Sequence, residues 1–77
     1  MERYFPAQIE KGEQSYGVWF VDFPGCVSVG NTIAEAIEGG HEALALHTAG
    51  MIADGEPLPE SSAPTAQAIF LSAAAAA

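Results

Sequence analysis

The chain has 77 residues, 49% of them hydrophobic, and its ten acidic and two basic side chains give a formal net charge of −8. A domain this small buries only about 60% of the surface that its unfolded chain exposes, so the length excludes a large core and favours self-association. The charge argues against direct binding to nucleic-acid phosphates, which requires lysine and arginine, and it fits either a basic protein partner or a simple need for solubility.

The sequence carries no signal for export, oxidation or membrane insertion. Its single cysteine, Cys26, cannot form a disulfide within the chain. No apolar run approaches the roughly 20 residues that span a bilayer, and the N-terminus lacks the basic region and apolar core of a signal peptide. We therefore expect a cytoplasmic protein that does not associate with a membrane.

The first predicted element is a strand over residues 3–10. Phe5, Ala7 and Ile9 alternate with other residues and share one side of it. Pro6 has no N–H to donate, which favours an edge position or a bulge. A polar loop over 11–15 leads to the next strand.

The second predicted strand, 16–23, is rich in aromatic and β-branched residues. Pro24 presets the backbone for a turn and Gly25 accepts the positive φ that a type II turn requires, so the chain reverses there. A third strand is predicted over 26–29, and Cys26, at its start, is expected to be a small buried thiol.

Alternation along the second strand predicts two apolar faces. Trp19, Val21 and Phe23 lie opposite Val18 and Phe20. Because one helix covers only one face of a sheet, the Trp19 face is expected to meet another subunit or a partner protein. A homodimer or a homotetramer is the predicted assembly.

A long helix is predicted next. Thr32 at its cap and Glu35 three residues later form a capping box, and Gly55, followed by two prolines, ends it. Residues spaced by three and four form a stripe expected to face the sheet: Ile33, Ile37, Gly40, Leu44, His47 and Met51. The adjacent Gly39 and Gly40 indicate either close approach of the helix to the strands or a kink in its middle.

Residues 56–66 are predicted to be a linker and 68–72 a short last strand, followed by an alanine tail. The fold class is therefore α+β, with the order β-β-β-α-β and the helix on one face. We expect the strand order three, two, one, four, with strand four parallel to strand one, although the pattern also admits a ferredoxin-like sheet. Residues 1–60 are predicted to form the core, and 61–77 to belong to the same domain.

Catalytic side chains are not apparent. A two-metal nuclease site needs carboxylates that converge from sheet and helix, and the last predicted strand has none. Glu35, Glu38 and Glu42 are spaced as a solvated acidic face. His41 and His47 point about 120° apart on the helix, so neither ligates a metal with the other. His41 is expected on the surface and His47 in the core.

Asp22 is the one polar residue in an otherwise apolar strand. Its carboxylate is expected either to face a cation of a partner or to accept an Asx-type bond that sets the turn from Phe23 to Cys26. The second role is the preferred prediction.

Several short motifs between residues 4 and 60 resemble, in order and spacing, the HicB-like antitoxin family of bacterial toxin–antitoxin systems. They are the Phe5-Pro6-Ala7 strand, the Tyr16-Gly17-Val18 and Phe20 pattern, the Asp22 to Cys26 turn with Gly30, Thr32 and Glu35 behind it, and the Asp54 to Pro59 helix exit. The resemblance implies a reduced ribonuclease H-like arrangement. It also implies binding and occlusion of a small basic HicA-type toxin that cleaves mRNA. Family members often carry a C-terminal DNA-binding module, and the residues after Leu71 are not expected to form one.

The resemblance favours a non-catalytic antitoxin, and two alternatives stay open: a small oligomeric domain that binds a metabolite, and a residual nuclease. The predicted interface with a partner or second subunit consists of Trp19, Val21, Asp22, Phe23, Glu35, Glu38 and Glu42. The predicted turn and cap residues are Pro24, Gly25, Cys26, Thr32 and Gly55. No cofactor, metal or direct nucleic-acid ligand is expected.

Overall fold

The computed structural model describes residues 2–63 and 68–74, so the tail alanines Ala75 to Ala77 and part of the predicted linker lie outside the described residues. The described elements are β1 Glu2–Lys11, β2 Tyr16–Phe20, β3 Val27–Gly30, α1 Ile33–Ala53 and β4 Ile69–Ala74. The predicted α+β class and the order β-β-β-α-β are confirmed.

The four described strands form one sheet in the order β3-β2-β1-β4, as predicted. Every neighbouring pair is antiparallel; Ala7 of β1, for example, pairs with Phe20 of β2 on one side and Ile69 of β4 on the other. The predicted parallel orientation of β4 is therefore wrong.

The long connection after α1 explains the reversed orientation of β4. The Arg3 guanidinium donates to the Pro59 carbonyl at 2.7 Å, and the Ser61 hydroxyl donates to the Tyr4 carbonyl at 2.5 Å. These bonds hold the connection beside the beginning of β1. Because β4 starts opposite Ala7 and ends opposite Glu2, it runs back toward that same end of the sheet. A strand entered directly from the helix would have run the other way.

Asp22 holds the same connection from the end of β2. Its Oδ2 accepts from the Ser62 backbone N–H at 3.0 Å, and its Oδ1 accepts from the Ser62 hydroxyl. The predicted Asx-type bond to the turn after Phe23 is therefore wrong: the half-buried carboxylate is engaged by a residue 40 positions later in the chain. Local spacing gives no signal for so distant a partner.

The core lies between α1 and one face of the sheet. Strand residues supply Phe5, Ala7, Val18, Phe20 and Ala73, the turn supplies Phe23 and Cys26, and the helix supplies Ala36 and Leu44. Phe23 is only 2% exposed, and its ring meets that of Phe5 edge-on with centroids 4.7 Å apart. Its predicted place on the opposite face is wrong because β2 ends at Phe20, after which strand alternation no longer sets side-chain direction.

The buried line of α1 differs from the predicted stripe. Ala36, Gly40, Leu44 and Thr48 are buried, whereas Ile33 and His47, expected to face the sheet, are exposed. His47 meets the ring of Phe23 edge-on at 5.5 Å, so its neighbour is the turn and not a strand. The predicted core histidine is therefore wrong, while His41 is on the surface as predicted.

Both ends of α1 have side-chain or backbone caps. Thr32 Oγ1 accepts from the Glu35 N–H at 3.1 Å, and the Glu35 carboxylate accepts from the Asn31 N–H at 2.9 Å. At the other end Gly55 has φ +76° and donates to the Ile52 carbonyl at 3.0 Å. The Glu56 N–H bonds Met51 O at 2.9 Å, which completes a Schellman motif.

Glycine residues at the helix–sheet contact allow the helix to approach the sheet closely. A Cβ on Gly40 would lie 2.8 Å from Val18 Cγ1, and one on Gly30 would lie 2.5 Å from the Ala36 nitrogen. The Ser28 hydroxyl also donates to the Ala36 carbonyl at 2.7 Å. The sequence predicted either close approach to the strands or a kink at the central glycines, and the structure shows close approach at Gly40.

We predict that Gly40→Ala and Gly50→Ala change stability in opposite directions, although both gain helix propensity. A Cβ at Gly50 meets nothing within 4 Å, so Gly50→Ala should raise the free energy of unfolding by about 0.5–1 kcal/mol. Gly40→Ala forces Val18 aside in the core and should lower it by about 1–2 kcal/mol. Urea denaturation measures both. Equal effects would contradict the close approach at Gly40.

A second prediction concerns the contact between Asp22 and Ser62. A double-mutant cycle of Asp22→Ala and Ser62→Ala should give a coupling of roughly 1 kcal/mol in unfolding free energy, since the two side chains share a part-buried hydrogen bond. Asp22→Ala with Ser61→Ala is the matched control, because Ser61 bonds Tyr4 instead. A control cycle with the same coupling would show that the Asp22–Ser62 bond is not what ties the connection to β2.

Candidate interaction surfaces

The described side chains offer no constellation for metal-dependent chemistry. No group of three or more His, Cys, Asp or Glu residues within 2–63 and 68–74 is placed to hold a metal ion. Over the same part of the chain, no helix combines the length and the apolar character that crossing a membrane requires.

The face of the sheet turned away from α1, here called the outer sheet face, is largely apolar. Val29 is 71% and Phe70 44% exposed, and Trp19 is directly opposite Val27 in the β2–β3 pairing. Its exposed apolar members come from all four strands: Tyr4, Trp19, Val27, Val29 and Phe70. Among described side chains, strand alternation places one charged group here, Glu10, near the end of β1. Val21 is exposed just after β2 ends.

The solvent side of α1 is acidic. Glu35, Glu38 and Glu42, here called the acidic ridge, are all exposed. Spacings of three and four place them along one side of the helix. No lysine or arginine occurs between Ile33 and Ala53 to neutralise them. The ridge therefore presents an uncompensated negative field on the side of the molecule opposite the outer sheet face.

An open cleft separates α1 from the turn before β3. Its walls are Gly25, Cys26 and Val27 on one side and Ala43, Leu46 and His47 on the other, and its volume is ≈ 360 Å³. Leu46 is 74% exposed, the most exposed large apolar side chain of the helix. The cleft escaped sequence analysis because Leu46 lies off every apolar stripe that helical spacing predicts.

The turn that forms one wall of the cleft has the geometry expected from Pro24 and Gly25. The Cys26 N–H donates to the Phe23 carbonyl at 3.0 Å, and Gly25 has φ +88°. Cys26 is a free, buried cysteine, and burial raises the pKa of its thiol by desolvation. The thiol therefore stays protonated at neutral pH, which argues against a nucleophilic role.

The structure separates the residues that the sequence grouped as one interface. Glu35, Glu38 and Glu42 lie on the solvent side of α1, whereas Trp19 lies on the opposite face of the sheet. Phe23 is in the core and Asp22 is bonded to Ser62. Sequence analysis missed Tyr4, Val27, Val29 and Phe70 as interface residues. Alternation about Phe5 marks the parity of Tyr4, whereas the side of Val27 and Val29 depends on the β2–β3 register.

Comparison with known proteins gives a consistent assignment. The family model described as the HicB-like antitoxin of bacterial toxin–antitoxin systems matches residues 5–70 of the sequence. An uncharacterized 14.9 kDa protein from the rep-hol intergenic region of Haemophilus phage HP1 (strain HP1c1) is 44% identical over 57 residues. These residues are 74% of this chain and 43% of the phage protein, so the chain spans less than half of that relative.

Solved structures of antitoxins share the fold. The N-terminal domain of the Burkholderia pseudomallei antitoxin HicB has a TM-score of 0.75 at 28% identity and covers 97% of this chain and 100% of that chain. The longer Burkholderia pseudomallei antitoxin HicB gives 0.72 at 28% identity, with 95% of this chain and 63% of that chain covered.

A chain of the HicA3 and HicB3 toxin–antitoxin complex gives a TM-score of 0.62 at 26% identity, over 94% of this chain and 96% of that chain. The family match extends from Phe5 in β1 to Phe70 in β4 and so includes residues of every described strand and all of α1. This chain belongs to the HicB-like antitoxin family.

Proposed function

We propose that this chain binds a small basic HicA-type toxin and blocks it by occlusion, without catalysing a reaction itself. The observation that carries the proposal is the likeness to a chain of the HicA3 and HicB3 toxin–antitoxin complex over 94% of this chain. The family match to HicB-like antitoxins supports it independently.

The distribution of acidic groups supports a non-catalytic role. Two-metal nucleases hold carboxylates from several elements around ions only about 3.5–4 Å apart. Here Glu35, Glu38 and Glu42 all belong to the exposed side of one helix, and Glu35 caps that helix by accepting from the Asn31 N–H. Such an arrangement attracts a cationic surface and does not assemble a reaction centre.

The acidic ridge is the surface we assign to the toxin. A basic protein approaching a net charge of −8 is accelerated by electrostatic steering, and the field is strongest where acids cluster without cations. The outer sheet face carries too little charge to steer a basic partner. We therefore separate the predicted interface: the ridge for the toxin, and Trp19 with its outer-face neighbours for a second copy.

The alternative of a metabolite-binding domain rests on the cleft beside Leu46. Its volume of ≈ 360 Å³ lies at the lower end of the range of about 300–1,000 Å³ for small-molecule sites. Such sites also bring several polar groups together to orient a ligand. His47 and the Cys26 thiol are the polar side chains among the lining residues, too few to orient a metabolite by several polar groups.

Charge reversal on the ridge tests the toxin assignment. Glu38→Lys with Glu42→Lys should lower the association rate with a purified HicA-type toxin by about tenfold at low salt. Glu13→Lys with Glu60→Lys is the matched control, because it changes net charge equally at exposed sites away from α1. Stopped-flow kinetics at two salt concentrations and growth rescue of toxin-expressing cells are the readouts.

Equal slowing by the two double variants would assign the steering to net charge and not to the ridge. No binding by the wild-type chain at low salt, with its circular dichroism spectrum intact, would overturn the antitoxin function.

Self-association is proposed through the outer sheet face, as a homodimer or homotetramer. Specific interfaces bury about 800 Å² per partner, and this face offers exposed apolar side chains from every strand. Repulsion between two acidic copies is least when these weakly charged faces meet, because the acidic ridges then lie far apart.

Val29→Asp should weaken self-association at least about tenfold, since it buries a carboxylate among apolar groups. Leu46→Asp is the control, because Leu46 is equally exposed but lies on the other side of the molecule. Sedimentation velocity over a concentration series decides between them. A wild-type chain that stays monomeric at the highest concentration would contradict the assignment of this face.

A further inference from the structure

The cleft beside Leu46 holds apolar surface that nothing in the described chain covers. Leu46 is 74% exposed on the helix wall, next to Ala43, and the facing wall is the turn at Gly25 and Cys26. An exposed apolar side chain that lines a concave site gains free energy when an apolar group of a partner covers it.

The packing of α1 explains why the cleft stays open. On the side of the helix toward β3, a Cβ on Gly39 would be 3.4 Å from Ser28, so helix and strand are in contact there. One turn later Ala43 and Leu46 face the turn at Gly25 and Cys26, which has no side chain long enough to reach them. On the helix side of the cleft, the Phe23 ring contacts the ring of His47. No described ring contact covers Ala43 or Leu46.

The negative charge next to the cleft indicates which kind of partner can bind there. Glu38 and Glu42 precede Leu46 by eight and four residues, so helical spacing places all three along one side of α1. A second copy of this chain, with its net charge of −8, is repelled from this site, and so is an anionic membrane surface. A basic polypeptide is attracted to it.

We propose that the cleft receives one large apolar side chain from a basic segment of the protein partner, whose flanking lysine or arginine residues lie over Glu38 and Glu42. This inference rests on the proposed function and adds to it the anchor point of the toxin. An apolar anchor in a pocket ringed by polar groups is the usual composition of an interface hot spot. The ridge then sets the rate of association, and the cleft sets the rate of dissociation.

A nuclear magnetic resonance titration tests the cleft directly. The probe is a synthetic amphipathic helix of lysine and leucine, compared with an analogue in which serine replaces leucine. With the full ¹⁵N-labelled chain, we expect shift changes concentrated at Gly25, Ala43 and Leu46, and binding weaker by about tenfold for the serine analogue. Shift changes centred on the outer sheet face, or equal affinity for both peptides, would overturn the proposal.

Leu46→Ala is the matching variant. It removes the exposed side chain while keeping a strong helix former, so the fold is retained. It should weaken leucine-peptide binding by about tenfold and raise the dissociation rate of a HicA-type toxin by a similar factor. Ile33→Ala, which removes another exposed apolar side chain of α1 outside the cleft, should change neither.

The two assays separate the two conclusions. Toxin binding that is indifferent to Leu46→Ala overturns the cleft as the anchor point and leaves the antitoxin function standing. Peptide binding in the cleft together with no toxin binding overturns the antitoxin function and leaves the cleft as a docking site for a basic segment of another protein.

Discussion

The close approach of α1 to β2 and β3 determines most of what the molecule presents to its surroundings. At Gly40 the helix backbone lies so near Val18 that a methyl group does not fit, and Gly30 lies equally near the first turn of the helix. The Ser28 hydroxyl bonds the helix carbonyl of Ala36 between these points. Because α1 is the one helix among the described elements and packs on this face, no described element covers the apolar face on the other side of the sheet.

Charge divides the two sides of the molecule. The acids of α1 lie on its solvent side, and among described side chains strand alternation puts only Glu10 on the outer sheet face. Like-charge repulsion thus opposes contact between two copies everywhere except where the surface is apolar, while a cationic partner is drawn to the helix. This charge distribution supports the proposal that a second copy and a basic protein approach opposite sides of the molecule.

Local sequence signals predicted local structure well. The Pro24-Gly25 turn, the Thr32 cap and the Gly55 end of the helix each depend on a few adjacent residues, and the structure has each of them in place. The strand order was predicted with the crossover rule, although the parallel orientation predicted for β4 is wrong. The turn and the two helix ends depend on interactions between residues a few positions apart, so they can be predicted from a single sequence.

Features that depend on distant residues were not predictable in the same way. Period-two alternation placed Phe23 outward because nothing local shows that β2 ends at Phe20. The orientation of β4 depends on where the connection after α1 is held, and Asp22 and Ser62, which hold it, are 40 residues apart. His47 fell on a helical stripe, but the helix meets the turn at that point and not a strand. Each error comes from tertiary contacts that override a correct local pattern.

The opposite placement of the two proposed surfaces has a consequence for stoichiometry. In a dimer formed through the outer sheet faces, both helices point away from the shared interface, and each retains its own acidic ridge and its cleft beside Leu46. Toxin binding to one copy then neither covers nor requires the other. Under these two proposals, dimerisation draws on side chains of the outer sheet face and neutralisation on side chains of α1. An outer-face substitution that separates the copies leaves intrinsic affinity for the toxin unchanged, provided that the Gly40–Val18 packing holds α1 in position.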